Sequence, residues 1–288
     1  MDSSAIAVAA PAKLNLYLHV LGRRDDGFHE LDSLVAFARV GDEIAVAPAP
    51  DLSLDVVGPF AGSLPAGPDN LVLRAAAALR DAAGIGHGAA ITLTKNLPVA
   101  AGIGGGSADA AAAIKALARF WDIHPATHDL SGLALGLGAD VPVCLFGRAA
   151  FMGGIGEQLE PAPALPETAL VIVNPGVAVA TPAVFGARRG PFSESMRFDR
   201  APDDAAGLAA LLKDRRNDLT EPAMEIAAEV GGVLGALENT AGCLLARMSG
   251  SGATCFGLYA DDATAAAATE RLRGAHPAWW IAASRLGP

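Results

Sequence analysis

Apolar and polar residues alternate without a break from Lys13 to Val20, KLNLYLHV. Leu14, Leu16, Leu18 and Val20 fall on one face, and Lys13, Asn15, Tyr17 and His19 fall on the other. A period of two places successive side chains on opposite sides of an extended chain, so the segment predicts a half-buried strand. The preceding MDSSAIAVAAPAK reads as a first strand. Its apolar part is short for a signal peptide, and Asp2 stands where such a leader carries positive charge. GRRDDGFHE reads as a polar turn and DSLVAFARVGDEIAVAP as further strand, and Asp51 to Val57 alternates again.

Asn70 to Ala83, NLVLRAAAALRDAA, has helical character with Asp69 or Asn70 as N-cap. AAITLTKNLP predicts a strand, followed by a glycine loop and an alanine helix. DLSGLALGLGADVPVCLFG predicts helix, loop and strand. The proline-dense PAPALPET, Pro161 to Thr168, marks the expected boundary between an N-terminal domain, 1–160, and a C-terminal domain, 161–288. Beyond it come a strand, ALVIVNPG, a polar stretch from Gly186 to Asp204, and helices near 205–216 and 221–238. CLLARMSGSGATCFGLYA reads as strand, turn and strand, before a helix near 261–274 and a closing strand, AWWIAASRL. There is no internal repeat and no regular βαβ series, which predicts a two-domain α+β protein.

Composition narrows the function. A chain of 288 residues with 52% hydrophobic and 5% aromatic residues builds a large core mainly from Ala, Leu, Val and Ile. No run approaches the roughly 18 apolar residues that span a bilayer, so a cytoplasmic protein without membrane contact is expected. Cys144, Cys243 and Cys255 are scattered, which fits a reducing compartment and argues against a zinc site. The net charge of −10 argues against a nucleic-acid surface, so any anion must be bound locally. Only four lysines stand against seventeen arginines, and two of them, Lys13 and Lys95, border candidate motifs.

The segment NLPVAAGIGGGSADAAAAIKAL, Asn96 to Leu117, sets a flexible loop directly before a strong helix former. Free amides and the helix dipole converge at such a terminus, and glycine lets a phosphate approach the backbone. A plain connector with Ser107 as an ordinary N-cap is the alternative. Two known fingerprints fail here. No lysine follows the glycines as a Walker A loop requires. In GxGxxG register the third glycine falls on Ser107 or Asp109, which argues against a dinucleotide site.

Three segments stand in the order and spacing of the GHMP kinase motifs: PAKLNLYLHVLGRRDDGFHEL (Pro11–Leu31), LPVAAGIGGGSADAA (Leu97–Ala111) and RMSGSGATCFGLY (Arg247–Tyr259). The chain resembles this superfamily of galactokinases, homoserine kinases and mevalonate kinases along nearly its whole length. The first motif and LGADVPVCLFG (Leu137–Gly147) are closest to the branch acting on a cytidine diphosphate-linked polyol in non-mevalonate isoprenoid biosynthesis. The resemblance implies an N-terminal half like ribosomal protein S5 domain 2, a ferredoxin-like C-terminal half, and ATP-dependent phosphorylation of a 2-hydroxyl with Mg²⁺. Another GHMP small-molecule kinase, or a nucleotide-binding relative without catalysis, is the alternative. Oligomeric state and magnesium ligands are not readable.

The resemblance also implies roles. Asp140 would be the catalytic base, whereas alone it reads as a turn or capping residue. Lys13 would orient and ionise it, whereas alone it reads as a solvated strand charge. Pro98, Val99, Ala100, Ala101, Gly102, Ile103, Gly104, Gly105, Gly106, Ser107 and Ala108 would wrap the ATP phosphates. Lys95 and Asn70 would also meet ATP; a solvated strand-end lysine and a helix cap are their competing readings. Asn15, Phe28, His29, Thr181 and Phe185 would hold the substrate, with His29 reading the cytosine between the Phe28 and Phe185 rings. Phe28 stands where the family usually has tyrosine, and Ala108 where it often has a second serine. These departures remove a phenolic and an alcoholic hydrogen bond.

Overall fold

The computed structural model describes residues 6–65, 67–124 and 128–287, so the part of the expected first strand before Ile6 lies outside the described residues. Two compact units form. The first takes residues up to Ala12, Gly41–Val99 and Gly104–Gly147; the second takes Lys13–Val40, Ala100–Ile103 and Arg148–Pro288. Compactness thus divides the chain at several points, and the Pro161–Thr168 segment lies inside the second unit. Strands β1 (Ile6–Arg23) and β2 (His29–Ala49) pair with each other and contribute a segment to each unit.

In the first unit, β4 (Gly88–Thr94) runs antiparallel to Glu43–Ala49 of β2 and parallel to β3 (Ser53–Val57). Four helices pack together: α1 (Leu71–Ala83), α2 (Gly105–Phe120), α3 (Leu130–Leu137) and α4 (Val141–Phe146). Asn70 caps α1, and Gly84 closes it in the left-handed conformation, φ 64°. From Ala108 to Ala118 every residue of α2 except Lys115 is buried, including seven alanines on all sides. Small side chains all round are what a central helix needs to let its neighbours approach.

The VPVCLF segment is a helix, α4, and not the expected strand. Six apolar residues carry no decisive period. Pro142 in the first turn has no amide that the helix would need, and Gly147 at φ 71° ends it.

In the second unit, Leu31–Val35 of β2 pairs antiparallel with β5 (Ala150–Gly154), which pairs with β6 (Gln158–Pro161). A four-stranded antiparallel sheet has the order β10 (Trp280–Arg285), β7 (Ala169–Asn174), β9 (Cys255–Tyr259), β8 (Leu245–Met248). Helices α8 (Glu229–Glu238) and α9 (Asp262–Ala275) pack on it, and α5 (Thr181–Ala187), α6 (Ala205–Leu212) and α7 (Thr220–Ile226) complete the unit.

The single helix expected near 221–238 is two helices, because Ala227 is extended (φ −139°, ψ 95°) between α7 and α8. The helix expected near 205–216 closes at Leu212. Strands β5 and β6 were not expected; Gly153, Gly154 and Gly156 mask their pattern. The largest departure is β1, where Ala12 to Val20 is buried on both faces. The polar face of this strand is therefore packed, with Lys13 only 3% exposed.

Candidate active site

Chemistry in the first unit gathers at the N terminus of α2. Gly104 is the cap at φ 61°, and no side-chain hydrogen bond caps this end. The first helical bond runs from the Ala108 N–H to the Gly104 carbonyl at 2.8 Å. The amides of Gly105, Gly106 and Ser107 precede it and have no acceptor within the helix. Ser107 is the third helical residue, which corrects the reading of it as an ordinary N-cap. A Cβ built on Gly106 meets nothing within 4 Å, so open space faces this turn. Amides without an acceptor in the helix, the positive end of a 16-residue helix and open space are the parts of an anion site. Just upstream, Ala100 holds φ 54°, a conformation that a residue with a Cβ adopts at a cost.

Beneath this turn lies Lys95. Its Nζ donates to Asp42 Oδ2 at 2.5 Å and to Asp109 Oδ2 at 2.7 Å, and all three side chains are buried. Lys95 is therefore not the solvated strand-end lysine of the competing reading. Burial pushes the Asp109 carboxyl up to about 7; the Lys95 ammonium opposes that shift, and the Asp42 charge adds to it. Asn70 spends both ends of its amide locally. Its Oδ1 accepts from Val72 N at 2.9 Å, and its Nδ2 donates to the Pro65 carbonyl at 2.8 Å. Asp140 occupies the cap position of α4 with helical backbone angles, yet its carboxylate makes no cap bond. A capping role thus does not account for its carboxylate.

The second unit places the remaining candidates. Asn15 projects from β1 and is fully buried. Its N–H donates to Ser249 Oγ at 3.1 Å and its Nδ2 to Ser33 Oγ at 2.8 Å, while Oδ1 has no partner among the described residues. A buried acceptor left open is costly, and a ligand hydroxyl would satisfy it. Lys13 N–H donates to the Ile103 carbonyl at 2.9 Å. Ser249 Oγ donates to the Gly102 carbonyl at 3.1 Å. Gly102 is at φ 74°, and a Cβ there would lie 2.5 Å from the Gly252 carbonyl oxygen, so this close approach requires glycine.

The His29 and Phe185 rings stack with centroids 5.0 Å apart and 24° between planes. Phe28 stands apart, 59% exposed. The structure therefore brings His29 and Phe185 together and leaves the third ring in solvent. Burial, with Arg23 and Arg188 adding to it, lowers the His29 pKa, so the ring is neutral at pH 7 with one donor and one acceptor. Thr181 Oγ1 lies 2.8 Å from Ser251 Oγ.

Residues 70–148 match the family description "GHMP kinases N terminal domain", and residues 201–278 match "GHMP kinases C terminal". A protein of Paramagnetospirillum magneticum named 4-diphosphocytidyl-2-C-methyl-D-erythritol kinase is 58% identical over 283 residues, covering 98% of this chain and 99% of its own length. The chain belongs to the 4-diphosphocytidyl-2-C-methyl-D-erythritol kinases, within the GHMP kinase family. A second member of this kinase family, from Rhodospirillum rubrum, is 52% identical over 99% of this chain and 93% of its own. A crystal structure of 4-(cytidine 5'-diphospho)-2C-methyl-D-erythritol kinase, 40% identical, matches with a TM-score of 0.80 over 98% of this chain and 99% of its own. The fold is thus the expected two-domain α+β fold of a GHMP kinase, and the chain is an ATP-dependent small-molecule kinase.

The motifs of this kinase did not reveal Asp42 or Asp109 as partners of Lys95. Asp109 carried a signal, an acid inside an alanine run, which an exposed helix would also show. Asp32 was missed as well. It is fully buried and accepts from Tyr17 Oη at 3.0 Å, Met196 N at 2.9 Å and Arg197 Nε at 2.9 Å. Its partners lie up to 165 residues away, so no local pattern announces them.

Proposed function

We propose that this chain transfers the terminal phosphoryl group of ATP to the 2-hydroxyl of 4-diphosphocytidyl-2-C-methyl-D-erythritol, in the non-mevalonate route to isoprenoid precursors. The observation that carries the substrate is full-length identity of 58% to an enzyme named for it. The uncapped N terminus of α2 supports the phosphate end of ATP. Phosphoryl transfer asks a protein mainly for position and charge. Asp140 takes the proton of the 2-hydroxyl, the oxygen attacks the terminal phosphorus, and ADP leaves with the bridging oxygen. Lys13 stabilises charge on the transferring group. Asn15 Oδ1 accepts from a substrate hydroxyl, and the neutral His29 reads the cytosine edge beside the Phe185 ring. Phe28 serves as a second ring only by moving out of solvent onto the base.

Magnesium accompanies ATP in this reading and neutralises phosphate charge when bound. Among the described residues no group of three His, Cys, Asp or Glu side chains is placed to hold a metal. Magnesium commonly keeps several water and phosphate ligands and needs few from the protein, and Ser107 is the residue we assign to a metal-bound phosphate oxygen. We assign the work to the cytoplasm, in keeping with three free cysteines. The domain division at residue 161 is part of the same proposal, since the two family matches lie on either side of it.

The deciding experiment measures ADP release with the cytidine substrate against homoserine, mevalonate and galactose. Release well above background is expected with the cytidine compound alone. Equal rates with another acceptor, or none with any, would sink the proposal.

A further inference from the structure

We propose that Asp42, Lys95 and Asp109 form a buried clip that fixes the strand entering the glycine loop against the helix leaving it, making Asp109 a positioning residue for nucleotide binding. This rests on the reading of the loop as the ATP phosphate site.

The clip joins three separate elements. Asp42, in β2, uses Oδ1 to accept from the Asn96 and Leu97 amides at 2.6 and 2.8 Å, the residues that open the loop. Its Oδ2 accepts from Lys95 at 2.5 Å. The same ammonium reaches Asp109, one turn into α2, at 2.7 Å. A Cβ on Gly105 would lie 3.2 Å from Lys95 Nζ, so the ammonium sits directly under the first helical turn. The loop between these stems is rich in glycine, whose backbone loses the most freedom on ordering. Three amides converge on an anion only if the stems hold a fixed spacing, and the clip supplies it from below.

The composition of the clip points away from simple stabilisation. Two carboxyl groups share one ammonium in a buried site, and Asp109 Oδ1 has no partner among the described residues. Apolar residues of similar volume commonly serve stability as well or better. What the ionic arrangement adds is direction: each bond fixes one stem relative to another.

Asp109→Leu tests this, because it leaves Lys95 and Asp42 as a neutral pair and keeps the branching of the side chain. Asp109→Asn retains the acceptor for Lys95 and serves as the conservative rescue. Three quantities are read on the full chain: ATP affinity, the KM of the cytidine substrate, and amide hydrogen exchange over residues 96–107 without ligand. In Asp109→Leu, ATP binding should weaken by about tenfold or more, as expected for losing a hydrogen bond to a charged group. Exchange over 96–107 should quicken and the substrate KM should stay within about twofold, while Asp109→Asn returns all three toward wild type. Unchanged ATP affinity and exchange in Asp109→Leu, or an Asp109→Asn as impaired as the leucine variant, overturns the clip. Gly106→Val separates the two ideas. If it binds ATP normally the loop reading fails, while the exchange measurement still decides whether Asp109 holds the stems.

Discussion

Replacing Asp140 by asparagine keeps the shape of the side chain and removes the base. Turnover should fall by about 10²–10⁴, the usual contribution of positioned acid–base catalysis, with ATP affinity retained; near-wild-type turnover would remove Asp140 from the mechanism. Phe185→Ala tests the substrate end. Base–aromatic stacking is worth roughly 1–3 kcal/mol, so the KM for the cytidine substrate should rise while that for ATP stays level. His29→Ala should in addition narrow the preference for cytidine over uridine analogues, because polar readers discriminate more sharply than apolar walls. Steady-state titrations on each mutant check both, and an effect of Phe185→Ala on ATP alone would place the base pocket elsewhere. A third residue links the site to pH. Burial raises Asp109 to about 7 in the folded protein, whereas an unfolded aspartate titrates near 3.9. The folded state holds this proton more tightly, so the associated stability is full below about pH 4 and is lost as pH rises through about 7. Asp109→Asn is neutral throughout and should gain on wild type as pH rises from about 4 to about 7 in urea unfolding; parallel stability curves over that range would contradict the shift.

At the scale of elements, the N terminus of α2 carries the most weight. Gly106→Val projects into open space, so the helix should persist while the added bulk stands where our proposal brings a phosphate to the backbone. ATP affinity should fall by about tenfold or more with the substrate KM unchanged, and calorimetry showing equal loss of both would count against a phosphate role. Gly105 is a poorer probe, because a side chain there meets Lys95 first. Helix α1 offers a contrast. Asn70 caps it and braces the Pro65 carbonyl, so Asn70→Ala should cost about 1 kcal/mol of stability. A change in ATP affinity larger than its stability loss would reveal direct contact with nucleotide.

For the whole molecule, a ligand that binds only the folded state raises stability by RT ln(1 + [L]/Kd), about 2.7 kcal/mol at one hundred times Kd. ATP should therefore raise the melting temperature of the wild type, and Gly106→Val should lose most of that rise at the same nucleotide concentration. No rise in the wild type would contradict nucleotide binding. The net charge of −10 makes the same point in reverse. An acidic chain that binds ATP needs oriented amides or a few placed cations, and the amides ahead of Ala108 are the donors that our proposal assigns to this role.

The sequence by itself determined the alternation that makes β1 a strand, the helical run of α1, the glycine-to-alanine junction at α2, and three motifs that place the chain among the GHMP kinases. Each of these is a local pattern, in which periodicity, capping or glycine content acts within a few residues. Tertiary structure alone decided that both faces of β1 are buried, that VPVCLF is a helix, that Lys95 is clasped by Asp42 and Asp109, and that Asp32 gathers Tyr17, Met196 and Arg197. In each case the deciding partners lie far along the chain or the local signal is degenerate. A short apolar run fits strand or helix equally, and a charged residue looks solvated until the groups that compensate it are packed around it.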